Sequence, residues 1–326
     1  MRTIKKGELM VIDEYGEVIR LESSDLKGNI LTFPDEAKKI SFLVWNYNMD
    51  EYNASGIHTI NFNNIETIVN ECGSYFAEHF PNVTKVIAPK LQLVPRYMFS
   101  NNVMIFSNNV MIHSKLKEVY LMEAKVIGQA AFADTAALEY VYAPKAETIC
   151  NYAFGQSYVQ KIELGAIKNI HNEAFYQSDI EEIDCNYANV GAKAFMYSHL
   201  KTIKLNSISQ LNPTALNDCK EFSRIEVQKP VSKAKSKFPY VCEGQPYTIV
   251  APDRTFECIS SFSEDHCAHE LIQKIYRANE EYSAYIYCLK DGRYCATSFI
   301  GNMMSISPIF ETIDKVIGWL EKGRKI

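Results

Sequence analysis

The chain has 326 residues, 47% of them hydrophobic and 22% charged, with a formal net charge of −5 and a pI near 5.9. That length allows one large domain or two ordinary ones, the composition excludes wholesale disorder, and the lack of a basic excess argues against nucleic acid as a partner. Nine cysteines, odd in number and without framework spacing, fit free thiols in a reducing compartment better than a secreted disulfide scaffold.

The first residues, Met1-Arg-Thr-Ile-Lys-Lys-Gly-Glu8, lack the apolar run of a secretory signal, and no stretch approaches the roughly 18 apolar residues of a membrane-spanning helix. The expectation is a cytoplasmic protein, or one exported without a classical signal peptide. Leu9–Ile12 and Val18–Leu21 flank Glu14-Tyr-Gly-Glu17 and predict a hairpin, and Ile30-Leu-Thr-Phe33 reads as a further strand stopped by Pro34. Residues 1–54 are expected to form a β-rich cap, because the first strand of a stacked array otherwise leaves its edge open.

From residue 55 a repeat takes over. Ala-Phe recurs at Ala131-Phe132, Ala153-Phe154, Ala174-Phe175 and Ala194-Phe195, then becomes Ala215-Leu216, at intervals of 22, 21, 20 and 21 residues. Five positions before each stands Ile127, Ile149, Ile170, Val190 or Leu211, and Val94 precedes Phe99 at the same distance. A second pattern, apolar-x-x-apolar-x-apolar, keeps step with the first: Leu138/Val141/Ala143, Val159/Ile162/Leu164, Ile180/Ile183/Cys185, Leu200/Ile203/Leu205. Its last two positions are two apart, the period of a strand with one buried face. Each unit of about 21 residues therefore supplies a short strand, a turn and an Ala-Phe step that fills the interior. One such coil cannot bury enough to stand alone, so stability is shared between neighbours.

Phe99-Ser-Asn-Asn-Val-Met-Ile105 is duplicated as Phe106–Ile112, stretching the Phe99-to-Phe132 interval to 33. The duplication reads as an outward loop, since lengthening a loop is thermodynamically cheap. A functional loop offering Met104, Phe106 and Met111 as adaptable contacts is the alternative.

Ile127-Gly-Gln-Ala-Ala-Phe132, Ile149-Cys-Asn-Tyr-Ala-Phe154 and Ile170-His-Asn-Glu-Ala-Phe175, each followed by its strand triplet, resemble BspA-type leucine-rich repeats. The resemblance spans about residues 55–228, and Tyr247-Thr-Ile-Val-Ala-Pro252 is similar to that family's closing strand. It implies an α/β-type repeat solenoid of short parallel strands over 55–252, used for binding, with no catalytic residue to carry over.

Lys229–Lys237 is a polar, basic stretch suited to a loop. Beyond the closing strand, Ser263-Glu-Asp-His opens an expected helix whose Cys267, Leu271 and Ile275 fall four apart beside Ala268, Ile272 and Tyr276. Tyr285–Leu289 and Tyr294–Phe299 predict a two-residue hairpin at Asp291-Gly292, with Cys288 opposite Cys295. Pro308 opens a second expected helix with Ile309, Ile313, Val316, Ile317 and Leu320 on one face. Residues 253–326 thus read as an α-β-β-α cap or small domain.

Cys258, His266, Cys267, His269, Cys288 and Cys295 are the one metal-coloured cluster, but their spacing matches no standard zinc pattern. No Gly-rich phosphate loop and no hydrolase or metalloprotease motif occurs. His58, His171 and His199 lie at different offsets in their coils and are expected on the surface. No cofactor, metal site or catalytic residue is therefore assigned. The repeat register does give a candidate surface, because residues flanking each middle strand position should point outward. Tyr120, Tyr140 and Tyr142 then form an aromatic patch with Ile87 at its edge and Glu163, Glu182 and Asp184 as an acidic patch beside it. The leading expectation is a non-enzymatic protein-interaction module, such as a bacterial effector or a cytosolic adaptor. The alternatives are a solenoid that selects targets for an enzymatic or toxin activity in the C-terminal unit, and a surface adhesin.

Overall fold

The computed structural model describes residues 10–21, 28–41, 54, 56–69, 76–101, 106–107, 110–111, 114–231, 239–242, 244–260, 270–276, 282–288, 293–300 and 303–322. The repeat winds into a solenoid of parallel strands. Strands 30–32, 59–61, 85–87, 118–120, 140–143 and 161–164 line up as one parallel sheet, and 182–184, 202–205, 224–227 and 246–250 as a second. Two-residue strands at 93–94, 126–127, 148–149, 169–170 and 189–190 form a second wall, also parallel.

Register follows the apolar pattern: Val119 faces Val86 and Val141, and Ile203 faces Ile183 and Ile225, all buried. In the interior, Phe99, Phe132, Phe154, Phe175 and Phe195 stack with ring centroids 5.1–5.2 Å apart and planes within 16°. Phe33 and Phe62 stack in the same manner, 5.3 Å apart, nearer the N-terminus.

The wall carrying the phenylalanines has no strand, yet it is hydrogen-bonded throughout. Phe132, Phe154, Phe175 and Phe195 each donate their N–H to the alanine carbonyl before the next coil's Phe or Leu, at 2.7–2.8 Å. Residues two before the aromatic (Ala130, Tyr152, Glu173, Lys193) and two after it (Asp134, Gln156, Gln177, Tyr197) have φ between 50° and 61°. This left-handed backbone costs a non-glycine residue about 1–2 kcal/mol. It also aims N–H groups along the solenoid axis: Asp134 donates to Gly155 at 2.9 Å, Gln156 to Tyr176 at 2.7 Å and Gln177 to Met196 at 2.9 Å. The alanines are fully buried, and their backbone carbonyls accept the bonds that join adjacent coils.

A second internal column stands three residues after each aromatic. Thr135 donates its hydroxyl to the Phe132 carbonyl at 2.7 Å and Ser157 to Phe154 at 2.9 Å, while Ser198, three after Phe195, meets the thiol of Cys219 from the next coil at 3.6 Å, and that thiol reaches the Phe195 carbonyl at 2.7 Å. Ser178 occupies the same place, buried, with its hydroxyl unpartnered.

At the N-terminus, Met10–Ile12 and Glu17–Leu21 pair antiparallel as the hairpin pattern requires. Strand Ile30–Thr32 pairs in parallel with Thr59–Asn61, so it is hydrogen-bonded to the repeat itself. The duplicated segment makes its own antiparallel pair, Phe106–Ser107 with Val110–Met111. The coils close up beneath it, with Phe99 N–H on the Ala131 carbonyl at 2.8 Å.

The fold class needs correction in its helical part. Strand dominates, and the only helix longer than one turn among the described residues is Ile313–Lys322. Of the helix expected from residue 263, residues 263–269 lie outside the described residues, and Glu270–Tyr276 is instead a strand in a four-stranded antiparallel sheet with Tyr282–Cys288, Tyr294–Ile300 and Met303–Ile306. Its Ile272, Ile275 and Tyr276 satisfy a four-residue period, but β-branched and aromatic side chains suit a strand once partners are at hand. The hairpin is also one residue out of the expected register, pairing Cys288 with Tyr294 and Tyr287 with Cys295, so the two cysteines are not opposite. The last helix begins at Ile313 and not at Pro308, because Phe310 still exchanges backbone bonds with Tyr294 at 2.7 and 2.8 Å. Ala284, Ile286, Ala296, Val316 and Leu320 make a separate small core there.

Candidate functional site

The repeat register places Lys85, Glu118, Tyr140 and Lys161 in one outward row and Ile87, Tyr120, Tyr142 and Glu163 in the next. The three tyrosines meet there. Tyr120 lies edge-on to Tyr140 at 5.8 Å between centroids and 6.4 Å from Tyr142. All three, and Ile87, are half-buried. Rings on adjacent strands cover one another, which leaves a continuous apolar face instead of separate exposed groups.

Charge frames this face symmetrically. On one side the Lys85 ammonium sits 4.5 Å over the Tyr120 ring and 2.9 Å from Glu118, which also accepts the Tyr120 hydroxyl at 3.0 Å. On the other, Lys161 lies 5.4 Å from the Tyr140 ring and 2.7 Å from Glu163. Hydrogen bonding from Lys85 and then from Tyr120 holds the Glu118 carboxyl below the usual range, and Lys161 does the same for Glu163. Partial burial, followed by the bond to Glu163, raises the Tyr140 hydroxyl. Both carboxylates are therefore ionised across the neutral range, and each cation–π contact is anchored by an ion pair.

The acidic patch is only partly assembled. Glu163 is committed to Lys161, and Glu182 and Asp184 lie on a strand that is not hydrogen-bonded to 161–164. Both are exposed.

Two further features escaped the pattern. Tyr152, Tyr176 and Tyr197 form a second aromatic row beside the phenylalanine turns, 5.7 Å from ring to ring. They occupy different offsets from their phenylalanines, so only coordinates bring them together. On the short-strand wall, Asn151, Asn169, Asn172 and Asn189 line a shallow open groove with His171 and Gly191.

Among the described residues, no three His, Cys, Asp or Glu side chains converge as a metal site would require. Cys258 and Cys295 are buried; His266, Cys267 and His269 lie outside the described residues. No helix among the described residues is long and apolar enough to cross a membrane.

Parallel coils of about 21 residues with an apolar strand triplet define a leucine-rich-repeat-like solenoid. Residues 125–244 match the BspA type leucine rich repeat region, in six copies. No significant match was found among curated proteins or among solved structures.

Proposed function

We propose that the chain is a non-enzymatic protein-interaction module that captures its partner on the outer sheet face centred on Tyr120, Tyr140 and Tyr142. The observation that carries this reading is the contact of three tyrosine rings on neighbouring strands, bracketed by the Lys85–Glu118 and Lys161–Glu163 pairs. Tyrosine offers a large rigid contact area with a polar tip, and aromatic centres with charged rims are where interface energy concentrates. A delivered effector or an adaptor is the setting that suits such a face.

Affinity purification from host or native lysate, comparing wild type with the Tyr120→Ala/Tyr140→Ala/Tyr142→Ala variant, tests the proposal. The variant is expected to lose the captured protein while its melting curve keeps a single transition near that of the wild type. Undiminished capture by the folded variant would remove this face from consideration.

A further inference from the structure

The long-strand wall is interrupted at one place. Lys161–Leu164 and Glu182–Asp184 belong to consecutive coils, which the repeat would set about 4.8 Å apart. Instead one sheet ends on the first strand and another begins with the second. Elsewhere the wall is closed by 2.8 Å bonds, from Ala88 N–H to the Tyr120 carbonyl, Leu121 to Tyr142 and Cys185 to Lys204. Strand 161–164 forms no ladder with 182–184, and Glu182 N–H makes no counterpart bond to the Gln160 carbonyl. Ile162 and Leu164 are partly exposed, whereas their equivalents Val141, Ala143, Ile203 and Leu205 are fully buried.

The same two coils stay joined on either side of the split. Asp179 N–H reaches the Ser157 carbonyl at 3.1 Å, Phe154 stacks on Phe175 at 5.2 Å, and Asn169–Ile170 pairs with Asn189–Val190. The opening is thus a bounded slot and not a break between domains. At Gly165 any side chain would collide with the Pro144 carbonyl oxygen. The chain leaving strand 161–164 thus runs close against the coil of strand 140–143, on the side away from the slot.

We propose that this slot receives an extended peptide segment of alternating basic and apolar residues, which adds as a strand between Lys161–Leu164 and Glu182–Asp184. Two facing strand edges with unused backbone groups are the template for strand addition. Ile162, Leu164, Ile183 and Cys185 line the inner side, so alternate side chains of the segment are apolar. Glu163, Glu182 and Asp184 flank the outer side, against Lys161, which is paired with Glu163, and Lys204, which neighbours Asp184 on the next strand, so the rim keeps a net negative charge. The net negative rim selects basic residues at the intervening positions. The bonds at either end limit the insert to about the length of its neighbours, with both ends leaving outward. This inference rests on the strand edges and shares only the Lys161–Glu163 pair with the tyrosine face.

The test uses the full chain and a fluorescent peptide of alternating lysine and valine, read by anisotropy and by amide exchange. Binding is expected, with the Leu164 and Glu182 amides exchanging freely in the unbound protein and slowing on addition of peptide. Glu182→Lys/Asp184→Lys should weaken binding by about tenfold or more, roughly 1.4 kcal/mol per tenfold, and the exposed Glu311→Lys control should not. A glutamate–valine peptide, or the lysine–valine peptide N-methylated at alternate amides, should fail to bind. Equal binding of either would overturn the proposal, as would Leu164 and Glu182 amides as protected as those of strand 140–143 before peptide is added. A Tyr120→Ala variant, whose ring lies against Lys85 and Glu118 and away from strand 161–164, should bind the peptide unchanged, which separates failure of this slot from failure of the tyrosine face.

Discussion

The phenylalanine stack of the solenoid and the Ala284–Leu320 cluster near the C-terminus are hydrophobic cores assembled under different rules. In the first, each ring rests on the same residue one coil away, so a side chain's neighbours are fixed by a translation of about 21 positions. In the second, Ile286 and Ala296 meet across an antiparallel hairpin and are covered by Val316 and Leu320 from a helix. A repeated environment tolerates few residue types and writes them into the sequence many times. A unique environment is written once, and each local pattern there can be read in more than one way.

The largest effect should come from the stack. Phe154→Ala removes a fully buried ring that touches two others and is expected to cost about 3–5 kcal/mol in urea or thermal unfolding. An unchanged midpoint would mean that the rings are not what joins the coils. Next, Leu320→Ala should cost about 2–3 kcal/mol. Because its cluster is separate from the solenoid core, amide exchange should accelerate at 284–320 and stay unchanged across 114–231. Equal acceleration in both regions would erase the distinction drawn here.

A sharper comparison lies within one column. Ser157→Ala deletes a buried hydroxyl bonded to the Phe154 carbonyl and should cost about 1 kcal/mol. Ser178→Ala deletes an unpartnered one and should cost nothing or stabilise slightly. A similar loss at both sites would show that volume, and not the hydrogen bond, sets the preference for serine there.

The smallest effect at ordinary pH concerns the Cys219 thiol. Burial pushes it up to about 12, so folding favours the protonated form. Its contribution is complete below the thiol's unfolded value near 9 and is lost as pH rises towards 12. Tyr152, also pushed up to about 12 mainly by burial, adds to the same alkaline decline. Stability measured from pH 8 upward should therefore fall, and Cys219→Ala should flatten the slope. A slope that does not respond to this substitution would place the titrating group elsewhere.

Legibility followed repetition closely. The pairing of Val119 with Val86 and Val141, the burial of every Ala-Phe step and the outward row of Tyr120 and Tyr142 were all readable, because coupled positions recurred at one spacing. The helix expected from residue 263 failed where there was no second copy to arbitrate. A spacing of four is compatible with a strand when three other strands are available to pair, and tertiary context decided for Glu270–Tyr276. The Cys288–Cys295 juxtaposition failed through one residue of loop length, which a turn signal alone does not fix.

The winding is written along the chain: its period, the face each triplet buries and the aromatic that fills each coil follow from side-chain size and alternation repeated many times. The left-handed turns flanking the phenylalanines, the row formed by Tyr152, Tyr176 and Tyr197, and the slot between Lys161–Leu164 and Glu182–Asp184 arise from contacts between coils in three dimensions. Left-handed φ values at Tyr152 and Gln156 leave no glycine behind to mark them. The parting of strands 161–164 and 182–184 is a relation between coils, which no spacing along one coil encodes.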